Sequence, residues 1–484
     1  MNPTLSSLCF RFIPADGAST VCAALCALST AASSAGGTRI CKLRFSSDTI
    51  GDAGAEWCSK LMFVSTWLEE LHLSECNIFS RGAACLGSAL CASASIRILD
   101  LSFNKIGLEG FKSISAALRI NASLQTLLLT ESEHQINIEG VEALADALKV
   151  NRSLQELNIV GIGIDSSSAA FLADALRVNS SLRVLDLSRN DIDDDGAVSL
   201  SSALCVNSVL EYLNLDRNQI GDHGAASFGE ALCINVGLRT LDLSRPAQDK
   251  IMLRDGCAAF GAALRVNSTL KRLVLNGNGF YYDGFDALAD ALKVNTCLQD
   301  LQIDEVGCGI PNEAFFVDAL RLNSSLCCLS LRENDIGVAG AVLLSAGLRV
   351  NSGLKCLDLS GNNIGDRGAA SLSEALSVNT VLRVFDASRN SIGNFGATAL
   401  GRALCANSRL AYMDLCYNGI GDHGAVALGE ALLLNSAMKT FKIENNRIGS
   451  AGAESFRTAQ RENSRLESIS LCGNPIHSIA VWPA

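Results

Sequence analysis

The chain has 484 residues, 48% apolar and 18% charged, so it can bury a large core and is not a disordered polymer. Its 39 basic against 50 acidic residues give a net charge of −11, which argues against general binding to nucleic acid or an anionic membrane and makes basic protein surfaces the natural partners. Only 6 prolines and few aromatics accompany 41 glycines, the composition of regular elements filled with aliphatic side chains.

One pattern recurs along the chain. From Leu182 it reads LRVLDLSRNDIDDDGAVSLSSALCVN, from Leu210 LEYLNLDRNQIGDHGAASFGEALCIN, from Leu354 LKCLDLSGNNIGDRGAASLSEALSVN and from Leu410 LAYMDLCYNGIGDHGAVALGEALLLN. In chain order the repeats start at Leu5, Ile40, Leu68, Ile96, Leu124, Leu154, Leu182, Leu210, Leu238, Leu270, Leu298, Leu326, Leu354, Leu382, Leu410, Met438 and Leu466. These 17 starts leave 16 intervals, of which 13 are 28 residues; the others are 35 after Leu5, 30 after Leu124 and 32 after Leu238. The apolar run from Val21 to Leu28 imitates a signal peptide, yet Ile13, Gly17, Ala18, Val21, Ala24 and Leu25 keep the phase of Ile220, Gly224, Ala225, Phe228, Ala231 and Leu232. The expected organisation is therefore one domain over 1–484: an N-terminal capping repeat (1–39) with a loop at about Ala31 to Arg39, regular repeats (40–463) and a C-terminal cap (464–484).

Within a repeat, Leu185 and Leu187 alternate as in a short strand with one buried face, and Ala197, Leu200, Ala203 and Leu204 follow the spacing of an amphipathic helix. A strand–helix unit cannot bury both apolar faces alone, so it stacks on its neighbours. The predicted fold class is α/β: a solenoid of about 17 repeats with a parallel sheet on one face and helices on the other. Because helices need more room than strands, the stack bends into a horseshoe with the sheet concave and the helices convex.

Polar markers keep the same phase. Asn190, Asn218, Asn278, Asn334, Asn362, Asn390, Asn418, Asn446 and Asn474 stand eight residues after a start, where an amide can satisfy backbone groups leaving the strand. The pairs Gly196-Ala197, Gly224-Ala225 and Gly368-Ala369 allow close packing as the helix begins. A second asparagine (Asn207, Asn235, Asn295, Asn379) ends the helix and is expected in the left-handed conformation. Five N-x-S/T sequons, at Asn121, Asn151, Asn179, Asn267 and Asn323, all occupy that helix-ending slot and read as repeat residues, not glycan sites.

The 19 cysteines form no C-x-x-C pair, which signals neither a metal knuckle nor a redox pair and suits a reducing compartment. Cys91, Cys205, Cys233 and Cys405 follow the helix leucine and are expected to pack between helices; Cys328 and Cys356 should be strand neighbours, with Cys327 beside the first. His223 and His423 share the strand-to-helix turn I-G-D-H-G-A, and His72 should point from a strand to the concave surface without a Ser or Cys to activate. Gly-Lys never occurs, so there is no phosphate-binding P-loop. The sequence accordingly reads as non-enzymatic, with no catalytic, cofactor or metal residues.

These residues resemble the leucine-rich repeats of the ribonuclease-inhibitor type, over residues 5 to 474. The resemblance implies the fold; this long repeat also occurs in Ran GTPase-activating protein and in the sensor end of nucleotide-oligomerisation-domain receptors, so it does not fix one function.

Concave positions lie two, four, six and seven residues after each start. The fourth gives Asp186, Asn214, Asp242 and later the row Asp358, Asp386 and Asp414, mutually repulsive carboxylates that a basic partner would relieve. The seventh gives Arg189, Arg217 and Arg245, set among Asp216 and Asp193-Asp194-Asp195. Exposed aromatics at Phe103, Tyr212, Tyr412 and Tyr417 are the better anchors, and Tyr412, Tyr417, Asp414 and Asp386 form the first-choice contact surface. Three strand-to-helix loops break the pattern: 130–138 with Ser132, 245–254 with Pro246, and 304–312 with Val306 and Pro311.

The expected function is a cytoplasmic scaffold, monomeric or part of a larger assembly such as a cytoskeletal or ciliary complex. It would hold a protein partner, basic in character, on the concave face and loop edge. The resemblance also admits a GTPase activator, though the end Ile479–Ala484 lacks that family's acidic tail, a ribonuclease inhibitor, which the acidic charge suits, and an immune-type sensor module.

Overall fold

A computed structural model describes residues 7–11, 40–46, 50–130, 136–245, 252–280, 282–307 and 313–476, with isolated positions between 17 and 25. The chain divides into two compact units, Met1–Leu243 and Ser244–Ala484. The expected loop at about Ala31 to Arg39, the centres of the three irregular loops and Trp482 lie outside the described residues.

In the first unit, strands from Ser7–Arg11 and Lys42–Ser46 through to Tyr212–Asn214 and Thr240–Asp242 pair in parallel, each with the next. Helices from Gly51–Val64 to Asp222–Leu232 alternate with them. In the second unit the parallel order runs from Arg272–Val274 through Cys356–Asp358, Val384–Asp386 and Tyr412–Asp414 to Ser468–Ser470, with helices from Asp255–Val266 to Ser450–Glu462. The register is one repeat throughout: Val184 faces Tyr212 and Val384 faces Tyr412, each 28 residues on. A small parallel pair, Met252–Leu253 with Gly279–Phe280, is an addition the repeat pattern does not predict.

The core is what the periodicity requires. In one repeat Leu182, Leu185, Leu187 and Ile192 from the strand side meet Ala197, Leu200, Ala203 and Leu204 from the helix, all fully buried. Small residues set the spacing between helices. A Cβ on Gly224 would come 2.8 Å from that of Ala197, so only glycine lets these helices approach.

Strands of three residues make too few hydrogen bonds to hold a chain that turns twice per repeat, and two asparagine ladders complete the count. At the strand exit, Asn362 Nδ2 donates to the carbonyls of Leu331, Leu359 and Ser360 at 2.8–3.1 Å, and Asn390 Oδ1 accepts from the N–H of Asn362 and Ile364. Asn104 joins this ladder, accepting from Cys76 and Ile78 N–H, and Cys76, in the corresponding slot one repeat earlier, donates its thiol to the Phe45 carbonyl. At the strand entry, Asn207 Nδ2 donates to the carbonyls of Leu176 and Asn179, and its Oδ1 accepts from Val209 and Leu210 N–H. The helix-ending asparagines are therefore not left-handed: Asn151, Asn179 and Asn379 have extended backbones, φ −66, −74 and −71. Their side chains stitch adjacent repeats, which an extended backbone aims correctly and a left-handed one would not. All five sequon asparagines are buried, so no glycan fits on the folded chain there.

Helix starts are capped from the preceding repeat. Asp366 Oδ1 accepts from Gly393 and Gly396 N–H at 2.8 and 2.7 Å, and Asp52, Asp194, Asn394 and Asp422 do the same for the helix that follows each. This explains why few helices here carry a cap from their own N-cap side chain. Two expectations are corrected in the helix layer. His223 and His423 lie in the first helical turn, not in the loop before it. Cys91, Cys233 and Cys405 are exposed and Cys205 is half-buried, because the residue after the helix leucine points off the end of the helix layer instead of between helices.

Replacing Asn390 by alanine leaves the N–H groups of Asn362 and Ile364 without an acceptor in a fully buried site, while the Leu359 and Ser388 carbonyls keep bonds from Asn362 Nδ2 and Gly361 N–H. At about 1–3 kcal/mol per unmet buried group, offset by local relaxation, the loss of stability is about 3 kcal/mol or more in urea unfolding.

Candidate functional site

The sheet face of the second unit gathers five of the residues singled out above, Asp358, Asp386, Asp414, Tyr412 and Tyr417. Asp358, Asp386 and Asp414 lie in direct register on adjacent strands, and Lys442 continues the row beside Asp414. Each aspartate folds one oxygen back: Asp358, Asp386 and Asp414 Oδ1 accept from the N–H of Ser360, Ser388 and Cys416 at 2.8–2.9 Å. Asp100, Asp186 and Asn214 make the same turn in the first unit, so the side chain at this position is first a strand terminator. What remains for a partner is the outer oxygen of Asp358 and of Asp386, since that of Asp414 accepts from Tyr412. Burial, with Asp358 and Asp414 on either side, pushes the Asp386 carboxyl up to about 6.

Tyr412 and Tyr417 are placed by this row. The Tyr412 hydroxyl donates to Asp414 Oδ2 at 3.1 Å, and the Lys442 ammonium lies 5.5 Å from its ring centre. Asp414 itself is 8% exposed, so it supports Tyr412 more than it meets solvent. Tyr417 is 50% exposed with the Arg389 guanidinium 4.2 Å over its ring. Sequence reasoning missed Arg389 and Lys442. Their signal was available, since Arg389 occupies the seventh position one repeat before Tyr417 and Lys442 the fourth position one repeat after Asp414.

The seventh position carries a backbone cost. Phe103, Arg189, Arg217, Arg389 and Tyr417 all adopt φ of 55–58, the left-handed region, as do Glu75, Glu305, Glu333 and Asn445 at φ of 52–59; Gly161, Gly277, Gly361 and Gly473 stand there in other repeats. A non-glycine residue costs about 1–2 kcal/mol there, so the backbone favours glycine while the chain places large projecting side chains.

The other expected residues do not join this cluster. Phe103 is exposed and Tyr212 half-buried in the first unit, and Arg245, half-buried, belongs to the second. Arg189 and Arg217 are tied to Asp216, whose carboxyl is pushed up to about 6 by burial and Asp242 against the pull of the two arginines; Arg217 Nε lies 3.5 Å from its Oδ2. His72 is buried on the sheet face with Nε2 3.2 Å from Glu70 and Nδ1 3.4 Å from Asp100, two carboxylates that sequence spacing did not bring together. Cys328 and Cys356 are register partners; burial pushes the Cys356 thiol up to about 12, which keeps it protonated and unreactive. Among the described residues no cluster of three or more His, Cys, Asp or Glu could hold a metal ion, and no helix is long and apolar enough to cross a membrane.

The Leucine Rich repeat family matches residues 64–87, 92–115, 178–201, 206–229 and 350–373. Ribonuclease inhibitor of Mus musculus is 37% identical over 90 residues, 18% of this chain, and that of Sus scrofa 34% over 93 residues, 19% of this chain. The chain matches only 20% of the length of each of these relatives. A chain from the crystal structure of the Rad7 and Elc1 complex in yeast aligns over 89% of this chain and 88% of its own, at 18% identity and a TM-score of 0.44.

Asp386 holds its proton more tightly in the folded chain than in the unfolded one, so its contribution to stability is present below the ordinary aspartate range and is lost as pH rises to about 6. Asp386→Asn keeps an acceptor for Ser388 N–H and removes the repulsion. Discounted for partial exposure, it should raise stability at pH 7–8 by about 1 kcal/mol and flatten the pH dependence between about 4 and 6, as read by thermal melts across pH.

Proposed function

Because the chain is a leucine-rich-repeat protein of the ribonuclease-inhibitor type, we propose that it is a non-enzymatic scaffold that holds a protein partner on the sheet face of the second unit. The observation that carries this reading is the pair of stacked, projecting side chains Arg389 and Tyr417, both kept at left-handed positions where glycine would serve the fold better. Large, rigid amphipathic groups already held in one geometry lower the ordering cost of binding and are the usual anchors of protein interfaces. Beside them Tyr412, Lys442 and the outer oxygens of Asp358 and Asp386 offer both signs of charge. A partner segment with exposed basic residues suits the repulsive aspartate row. Cytoplasmic residence fits the free thiols.

Inhibition of a ribonuclease is a second reading, favoured by the local similarity to two ribonuclease inhibitors and by the net charge of −11 against a basic enzyme. The match spans a fifth of those proteins, so it supports the repeat type more than the activity.

Arg389→Gly with Tyr417→Gly removes both anchors and relieves two left-handed residues, so the fold should lose no more than about 1 kcal/mol. Affinity capture from native cytosol with wild type beside this variant, read by mass spectrometry, should return a partner that only the wild type holds. Identical profiles would count against the sheet-face reading. If pancreatic-type ribonuclease is inhibited by the wild type and not by the variant, the second reading replaces the first.

A further inference from the structure

The edge of the second unit where helices end and strands begin differs in charge from the rest of the chain. Each connection crosses it in the seven residues from two before an entry asparagine to four after it, as in 265–271, 349–355 and 433–439. Over the seven successive connections from 265 to 439 these stretches hold nine Lys and Arg and no Asp or Glu, although residues 244–484 contain 23 Asp and Glu. The net charge of −11 is therefore an average that this edge does not share.

The cations form two rows with an apolar row between them. Arg265, Lys293, Arg321 and Arg349 stand at helix ends. Lys271, Lys355, Arg383 and Lys439 stand at strand starts, with Arg409 two residues ahead of Ala411 in the same row. Between the rows, one residue before each entry asparagine, Val266, Val294, Leu322, Val350, Val378 and Leu434 are 51–76% exposed, and Ala406 interrupts them. The asparagines fix the register of all three rows, as Asn379 does through the Leu348 and Asn351 carbonyls. At the strand spacing, seven repeats make a strip about 30 Å long.

Helix polarity explains only the first row. A cation at a helix C-terminus meets the negative end of the helix, and these four are also ion-paired: Arg265 and Lys293 with Asp290, Arg321 with Asp318 and Arg349 with Glu374. The strand-entry cations have no such role. Lys439 pairs with Glu467, but Lys271, Lys355, Arg383 and Arg409 make no ion pair among the described residues. Arg383 instead donates to the Arg409 carbonyl at 3.2 Å and Lys271 to that of Cys297 at 3.4 Å. In the first unit the same row neutralises itself, since Arg183 and Arg239 both pair with Glu211.

An exposed aliphatic row flanked by cations suits an anionic bilayer surface, whose headgroups meet the cations while the side chains between them enter the acyl boundary. No aromatic side chain stands in these seven stretches, either as an anchor for a protein or as a platform for stacking bases. We propose that the entry edge of the second unit is a peripheral docking surface for an anionic lipid membrane. Arg389 and Tyr417 stand at strand exits, so this surface is separate from theirs and does not rest on the sheet-face reading.

Co-sedimentation of the full-length chain with phosphatidylcholine vesicles containing about 30% phosphatidylserine, in about 0.1 M salt, tests this beside vesicles of phosphatidylcholine alone. The variants are Lys355→Glu/Arg383→Glu/Arg409→Glu for the cations, Val350→Ser/Val378→Ser for the apolar row and, as a control, Arg389→Gly/Tyr417→Gly. Circular dichroism checks folding, which these exposed substitutions should leave intact. The wild type should partition onto the phosphatidylserine vesicles only, and less so as salt is raised. Partition should fall about tenfold or more in the charge variant and about threefold or more in the apolar variant, and stay unchanged in the control. A wild type that stays in solution with both vesicles, or edge variants that sediment as the wild type does, would overturn the proposal. So would retention on an immobilised oligonucleotide or acidic peptide that the charge variant loses while vesicles leave the wild type in solution, which would make the occupant another polyanion.

Discussion

The structure depends on what happens to backbone polar groups at the ends of very short strands. A three-residue strand leaves most of each repeat's N–H and C=O groups outside the sheet, and a repeat chain cannot send them all to water and remain ordered. Asparagine resolves this because its amide both donates and accepts. At the strand exit, Asn362 and Asn390 tie each turn to its neighbours; at the strand entry, Asn207 and Asn379 do so on the other edge. Aspartates such as Asp366 extend the same device to helix N-termini, where orphan N–H groups of one repeat are met by a side chain of the one before. Stability is thereby spread over nearest-neighbour bonds, as expected of a repeat array.

That frame makes the sheet face a fixed grid. Because every residue at a given offset lands in register with its counterparts, a change at one offset alters one row. Asp358, Asp386 and Asp414 show both sides of this: each terminates its strand through one oxygen, and together they raise the charge cost felt by the middle one. The left-handed seventh position shows it again. Glycine stands there as Gly161, Gly277, Gly361 and Gly473, while Phe103, Arg389 and Tyr417, like Glu75, Glu305 and Glu333, accept the same left-handed backbone.

The fold was largely legible because its signals are local and repeat many times: the leucine and alanine spacing, the exit asparagine and the Gly-Ala pair each mark a position in the stack. The entry asparagine was legible as a position but not as a conformation, since its purpose is a bond to a carbonyl 31 residues earlier, as from Asn207 to Leu176. Cys91 and Cys405 misled for a related reason: phase says which slot a residue fills, but the last helical turn points past the layer. At the site, register brought Asp386 beside Asp414 as expected. Spacing alone places Arg389 one repeat from Tyr417 and Lys442 one repeat from Asp414, but that Arg389 stacks over the Tyr417 ring and Lys442 approaches that of Tyr412 depends on side-chain reach between repeats.

The most direct test of this account is amide hydrogen exchange in the native protein. Asn362 and Ile364 sit in a loop, and their N–H groups donate to the Asn390 side chain. If side-chain amides hold the turns, these two amides should exchange within about tenfold of the strand amide of Leu357, through an opening close to that of the surrounding repeats. Exchange at the rate of an unprotected loop, with the strands still protected, would show that the asparagine ladder does not carry the structure.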